Sequence, residues 1–323
     1  MTNPTATPVV AGVDVGKKRL DAHVLPLGLS RSFANDKCGR RAVRNWLLEL
    51  SVARAVFEPT ARYHRELHQC LFAAGIDTVP VNPLRSRRFA EALGQLANND
   101  RVDARMLAAY GLLDNLRSVP PKPGKLNALS DLVALRRKLV KHREALRNLH
   151  GELDCEAARE IGEKALADLQ ARIRALDRQL QACIADDEDL ARRAAIVQSV
   201  PGCGPACAAA LCADMPELGA IDRRQAAALL GVAPYDCQSG GRDGRRHVRG
   251  GRQYPRNLLY MAAVTAIRCN PACKALCQRL RAKGREPKVA LVAVIRQLLT
   301  LLNALLRDDR LWQPEPPPVD SLA

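Results

Sequence analysis

What this 323-residue chain lacks narrows its function before anything it contains is considered. No apolar run approaches the ~18 residues that span a bilayer. No amphipathic basic helix with a Trp, Phe or Leu face offers itself to a membrane surface. The opening MTNPTATPVV has neither a basic stretch nor an apolar core of the kind that directs secretion. The expectation is therefore a cytoplasmic protein with no membrane partner. No CxxC pair occurs among the 11 cysteines. Cys203 and Cys207, then Cys269, Cys273 and Cys277, recur at intervals of four, which aligns thiols on a helix face where they pack much as Ala does. Zinc or redox chemistry is the alternative, but His247 is the only nearby histidine and ribbon spacing is missing. Acid is scarce too. Against 34 Asp and Glu stand 50 Lys and Arg, giving a net charge of +16. An excess of that size, rich in Arg, points to a polyanion gripped through bidentate phosphate contacts.

The scarce acid is concentrated where it could do chemistry. Asp14 ends an apolar run, VVAGVDVG, and Glu58 ends another, ARAVFEP, both of which read as strands. Asp100 and Asp103 lie three apart in NNDRVDARMLAAYG, a stretch of helical periodicity, so both fall on one helix face. Two strand ends and one helix turn can aim four oxygen donors at a single point. Such a set repels itself unless cations occupy it, and oxygen ligands suit Mg²⁺ or Mn²⁺. Two ions about 3.5–4 Å apart are a common device for breaking phosphodiesters. Taken singly, each residue also fits a plainer role: a strand-end Asp is ordinary, and an acidic pair often offsets a helix dipole.

Residues 9–117 alternate strand-like and helical runs in the order βββαβαβα, which predicts a mixed sheet flanked by helices over 8–120. Pro120, Pro121, Pro123 and Gly124 break the pattern. Over 125–188 two helices with leucine stripes, joined near Gly162, predict an antiparallel coiled hairpin, either a spacer or a dimerisation element. Residues 191–309 are rich in Ala and Leu and read as all helical, and 310–323 form a Pro-rich tail. Within 191–309, IVQSVPGCGPACAAALCADM has the layout of a helix-hairpin-helix. Gly202 and Gly204 in its turn are candidates to offer backbone N–H groups to a phosphate, although such turns also occur in purely structural hairpins.

The second constellation is CQSGGRDGRRHVRGGRQYPRN. Ser239 precedes Gly240 and Gly241, and Arg242, Arg245, Arg246, Arg249 and Arg252 follow. A serine beside glycines lets a phosphate approach its hydroxyl, and guanidiniums could neutralise the charge that develops. The plainer alternative is a loop that clamps a phosphate backbone, with Ser239 as a turn residue. No His/Asp pair supports a conventional triad.

GVDVGKKRLDAHV, FEPTARYH, NDRVDARMLAAYG, SVPGCGPACAAAL and LLGVAPYDCQSGG…GRRHVRGGR…RNLLYMAA, in that order, resemble the insertion-sequence one-ten family of bacterial transposases over nearly the whole chain. The chain departs from the family pattern at Asn98–Asn99 and Cys237–Gln238. The resemblance implies a RuvC-like (RNase H-type) α/β domain, a coiled coil, and a mainly α C-terminal transposase domain. It also implies divalent metal held by Asp14, Glu58, Asp100 and Asp103, and a nucleophile at Ser239 that forms a 5′-phosphoserine link. The implied partners are DNA (element ends and target), a bridge RNA encoded by the element, and further copies of the chain in a dimer or tetramer. The expected activity is excision and insertion of the element by strand exchange. The alternative is a metal-dependent, structure-selective nuclease that uses water.

Overall fold

Nine elements build the N-terminal part: β1 (Val10–Val15), β2 (Arg19–Leu25), β3 (Leu29–Ala34), α1 (Lys37–Glu49), β4 (Arg54–Phe57), α2 (Arg65–Phe72), β5 (Asp77–Pro80), α3 (Pro83–Ala92) and α4 (Asp100–Tyr110). The computed structural model describes residues 8–59, 61–95, 100–239 and 242–314; the side chains of residues 100, 101, 237–239 and 242–246 lie outside that description. The chain divides into two units at Lys122–Pro123, within the Pro-rich break.

In the first unit the strands form one sheet in the order β3-β2-β1-β4-β5, with β1–β2 and β2–β3 antiparallel and β1–β4 and β4–β5 parallel. β1 is central, which explains why VAGVDV is apolar on both faces. Ala11, Val13 and Val15 pack with Val43 and Leu47 of α1 and Leu67 and Leu71 of α2. The opposite face carries Val10, Gly12 and Asp14 and lies under α4. There a Cβ on Gly12 would sit 2.0 Å from the Ala104 carbonyl oxygen and 2.2 Å from the Ala108 nitrogen. Only glycine lets helix and strand backbones meet this closely. Further along, a Cβ on Gly111 would strike Val10 at 2.4 Å and Val56 at 2.7 Å. Val10 thus lies by Gly111 and Gly12 by Ala104 and Ala108, so α4 runs antiparallel to β1 and its first turn points toward Asp14.

Helix α3 is absent from the βββαβαβα reading. Pro83 at its first turn and Asn82, whose side chain accepts from Leu84 N, are regular start signals, but its polar sequence hides the period. His68 on α2 is buried, with Nε2 3.0 Å from Thr78 Oγ1 and 2.8 Å from the Val119 carbonyl. Burial lowers its pKa from the ordinary 6.5, and burial followed by the nearby Arg105 charge lowers that of His23.

The second unit contains α5 (Gly124–His150), α6 (Glu156–Ala185), α7 (Glu188–Ser199), α8 (Pro205–Asp214), α9 (Arg223–Leu230), β6 (Pro234–Ser239), β7 (Arg242–Val248), α10 (Gln253–Cys269), α11 (Pro271–Ala282) and α12 (Pro287–Arg307). Three expectations change here. The break between the two long helices falls at residues 151–155 instead of Gly162. Gly162 sits inside α6, where a Cβ would lie 2.7 Å from the His150 ring; it is there for close approach, not for a turn. The hairpin seam is joined by Arg136 to Asp177 at 2.5 Å and Arg143 to Gln170 at 2.6 Å. The region read as all helical contains an antiparallel pair, β6–β7. Finally, α12 is long and apolar enough to cross a membrane by length and composition, with a mean hydropathy of 2.0. Leu291, Val294, Leu298, Leu302 and Leu305 of that helix pack into the core with α8 and α10.

The buried thiols belong to the same core. Cys203, Cys207, Cys212 and Cys273 are buried, and the ten described cysteines are free. Burial raises the Cys212 and Cys273 thiols to about 11, which keeps them protonated and unreactive.

Gly12→Ala should destabilise the protein by about 1–3 kcal/mol, the usual cost of overpacking a closed contact, measured as a lower urea midpoint at unchanged slope. The buried histidines predict a pH dependence. With folded pKa values below 6.5, the unfolded chain binds more protons as pH falls through 6.5, so stability is full above that value and declines below it. Urea titrations of His68→Gln between pH 7.5 and 5 should show a shallower decline than wild type, with His23 supplying the remainder.

Candidate active site

Residues Val13 and Phe57 pair across the parallel β1–β4 ladder, so Asp14 and Glu58, the next residue of each chain segment, occupy matching positions at the same sheet end. Paired residues share a face. Gly12 and Val56 both face α4, and by the two-residue period so do Asp14 and Glu58. Both carboxylates are half-buried. Glu58 Oε1 lies 2.5 Å from the Ser86 hydroxyl, so α3 fixes its orientation. Asp103 sits half-buried in the first turn of α4, which the Gly12 contact aims at this sheet end. The backbone of Asp100 opens the same helix; its side chain lies outside the described residues. Among the described residues, no three His, Cys, Asp or Glu side chains converge closely enough to hold a metal ion. What is present fits a hard divalent cation in donor type: oxygen only, at two adjacent strand ends beneath a helix start.

Ser239 is the last residue of β6 and pairs with Arg242 of β7. The expected loop is thus a β-hairpin, with Gly240 and Gly241 outside the described residues. The ladder shifts register between Tyr235 and Cys237, an irregularity that re-aims the strand just before Ser239. The base of the hairpin is clamped. Gly231 ends α9 at φ 82°, and a Cβ on Gly251 would lie 2.2 Å from its nitrogen. Arg256 Nη1 donates to the Gly231 and Gly250 carbonyls at 3.2 and 2.9 Å. Arg252 forks onto Glu217 at 2.6 and 2.7 Å and reaches the Asp214 carbonyl. Of the arginines expected to meet phosphate, Arg252 is therefore engaged in holding the hairpin base, and Arg249 lies over the Tyr235 ring at 5.6 Å. The side chains of Arg242, Arg245 and Arg246 lie outside the described residues.

A family model for the DEDD transposase domain of IS110 elements, described as "Transposase", matches residues 11–154. A second, described as "Transposase IS116/IS110/IS902 family", matches residues 194–278. The chain belongs to the IS110 family of transposases.

As an IS110-family transposase, it is an enzyme of DNA recombination and acts on DNA. It is 27% identical over 316 residues to the pilin gene-inverting protein of Moraxella bovis, covering 93% of this chain and 96% of that one. The pilin gene-inverting protein of Moraxella lacunata matches to the same extent. An insertion element IS116 protein from Streptomyces clavuligerus is 33% identical over 156 residues, covering 47% of this chain and 38% of that one.

The structure adds two residues to this transposase's acidic face. Asp21 lies directly opposite Asp14 in the β1–β2 ladder and is only 5% exposed, held by Arg19 Nε at 2.6 Å and Ser32 Oγ at 2.5 Å. His23, opposite Gly12, contacts Ser30 Oγ at 2.7 Å. With Ala104 they line a hollow of about 470 Å³. The signal was in RLDAHVL: Arg19, Asp21 and His23 alternate with apolar residues and so share one face of the strand. Of the two turn glycines, Gly202 (φ 101°) packs against α10, where a Cβ would lie 2.7 Å from the Ala262 carbonyl. Gly204, at the exposed start of α8, meets nothing within 4 Å.

Ser86→Ala should leave the fold intact by far-UV circular dichroism and, if Glu58 holds a cation, lower the recombination rate about tenfold, the usual cost of losing the partner that orients such a carboxylate.

Proposed function

We propose that this transposase excises and inserts its element by strand exchange through a phosphoserine intermediate. The observation that carries the proposal is the placement of Asp14 and Glu58 side by side at parallel strand ends, under the helix that begins with Asp100 and Asp103. The strand order β3-β2-β1-β4-β5, with its first three strands antiparallel, supports a RuvC-like (RNase H-type) domain. Helices α7 and α8, joined by a five-residue turn, support a helix-hairpin-helix whose open end is Gly204.

In this reading Asp14, Glu58, Asp100 and Asp103 hold Mg²⁺ or Mn²⁺, which supplies charge stabilisation at the reacting phosphate. Ser86 keeps Glu58 turned toward the site. Ser239 Oγ attacks the phosphodiester: its bond to phosphorus forms, the bond to the 3′-oxygen breaks, and the hydroxyl proton is matched by one taken up at the leaving 3′-oxygen. A 3′-hydroxyl from another strand then attacks the phosphoserine, restoring the diester and returning a proton to Ser239. The energy of the original bond is conserved throughout. Ser239 at the end of a clamped hairpin suits this role because a nucleophile needs a fixed approach. Arg242, Arg245, Arg246 and Arg249 grip phosphate; Arg252 positions the hairpin through Glu217.

An element-encoded guide RNA would read DNA sequence by pairing, leaving the protein to bind backbone and shape. The exposed Leu135, Leu149 and Ile161 on the α5–α6 hairpin suit a contact with another copy, in keeping with a dimer or tetramer.

The deciding experiment incubates the protein with its element-end DNA, the co-expressed noncoding RNA and Mg²⁺, then separates products on a denaturing gel. Wild type should form a covalent protein–DNA band that Ser239→Ala abolishes while DNA binding persists. Metal-dependent cleavage with no such band, unaffected by Ser239→Ala, would make this a nuclease that uses water.

A further inference from the structure

A groove of about 1270 Å³ runs between α9, α11 and α12 in the second unit, and neither catalytic constellation uses it. Its volume exceeds the ~300–1,000 Å³ of small-molecule sites, so it suits a segment of polymer better than a metabolite. The floor is small and apolar, with Ala228, Ala272, Ala293 and Ala304 among its residues, and two aromatic side chains, Tyr235 and Trp312, line it. Around it stand the exposed guanidiniums of Arg223, Arg224 and Arg296, none of which makes an ion pair among the described residues. Gln297 also lines the groove, and its buried Oε1 has no hydrogen-bond partner among the described residues. A buried acceptor left unpaired is costly unless something that enters the groove supplies a donor.

We propose that this groove holds a single-stranded stretch of DNA, its bases against the apolar floor and aromatic rings and its phosphates on the arginine rim. Aromatic platforms beside free guanidiniums are what an unpaired strand needs: every base has a face to stack, and every nucleotide carries one charge. Bases also carry ring and exocyclic N–H groups that match the orphan Gln297 amide. The charge pattern disfavours a second copy of the chain as occupant, because a body of net charge +16 would meet unpaired arginines. DNA is the occupant because it is the substrate on which a transposase of this family acts, and RNA is the alternative that the test separates. The groove also connects to the reaction. Pro234, in its lining, begins β6, whose far end is Ser239, roughly 16 Å away at ~3.3 Å per residue. A strand gripped here is held beside the hairpin that carries Ser239. The inference rests on DNA being this transposase's substrate and is independent of the Ser239 assignment.

The test is fluorescence anisotropy of the full chain with labelled oligo-dT and oligo-U, on wild type, Trp312→Ala, Arg296→Glu, Gln297→Leu and Ser239→Ala. Trp312→Ala and Arg296→Glu should each weaken oligo-dT binding about tenfold. Arg296→Glu should also reduce the salt dependence, by about 0.7 in slope for each phosphate that is no longer neutralised. Gln297→Leu separates binding from folding. Replacing an unsatisfied buried amide with an apolar side chain of similar size leaves the melting temperature equal or raised, while oligo-dT affinity falls several-fold. Ser239→Ala should bind as wild type does, so loss of the phosphoserine reading would leave this result untouched. Unchanged oligo-dT affinity in Trp312→Ala and Arg296→Glu would overturn the proposal. So would tighter binding of oligo-U, or a change in sedimentation without a change in DNA affinity, which would place RNA or a second copy in the groove.

Discussion

Everything at the acidic end of the first unit depends on how closely α4 lies against β1. A strand and a helix normally stay apart by the thickness of their side chains. At Gly12 there is no side chain, and the Ala104 carbonyl and Ala108 nitrogen occupy the space a methyl would need. The small residues Ala104 and Ala108 on the helix and Gly111 beyond it extend the contact down to Val10 and Val56. This seam settles the direction and height of α4, and so brings its first turn to the end of the sheet where β1 and β4 deliver Asp14 and Glu58. Asp14 and Glu58 stand side by side at that end, and the glycine–alanine seam is a neutral scaffold that holds the start of α4 above them.

The same device recurs in the second unit for a different purpose. Gly231, Gly250 and Gly251 bring the end of α9 against the end of β7, backbone to backbone, and Arg256 closes the contact by donating to two of the carbonyls. Arg252 bonded to Glu217 adds a bidentate brace. The β6–β7 pair leaves that base as a short two-stranded arm, which would be marginal alone. Arg252 and Arg256 thus hold the arm, a role that no count of basic residues reveals.

Much of the architecture was legible because periodicity reports burial. β1, β4 and α4 follow from VVAGVDV, ARAVF and the spacing of Val102, Leu107 and Tyr110, and with them the matching strand-end positions of Asp14 and Glu58. What was hidden has physical causes. Helix α3 is mostly polar, so its start signals had no apolar stripe to confirm them. Gly162 looked like a helix end because glycine is a poor helix former, yet there it serves close packing against His150. The β6–β7 hairpin was masked by arginine and glycine, which carry almost no strand signal, and its pairing depends on Gly231 and Gly251 meeting across 20 residues. Asp21 and His23 needed the β1–β2 register before their nearness to Asp14 could be seen. The groove at α12 is assembled from residues 223 to 314 and has no local signature.

The most direct test of this account is Mn²⁺ binding to the intact protein, followed by electron paramagnetic resonance in Asp14→Asn, Asp103→Asn and the double variant. If the seam brings strand ends and helix start to one cation, each single substitution should remove most of the affinity, and the double should be little worse than either. Unchanged Mn²⁺ affinity in Asp103→Asn, or losses that simply add, would mean that α4 and β1 do not share an ion, and the central claim would fail.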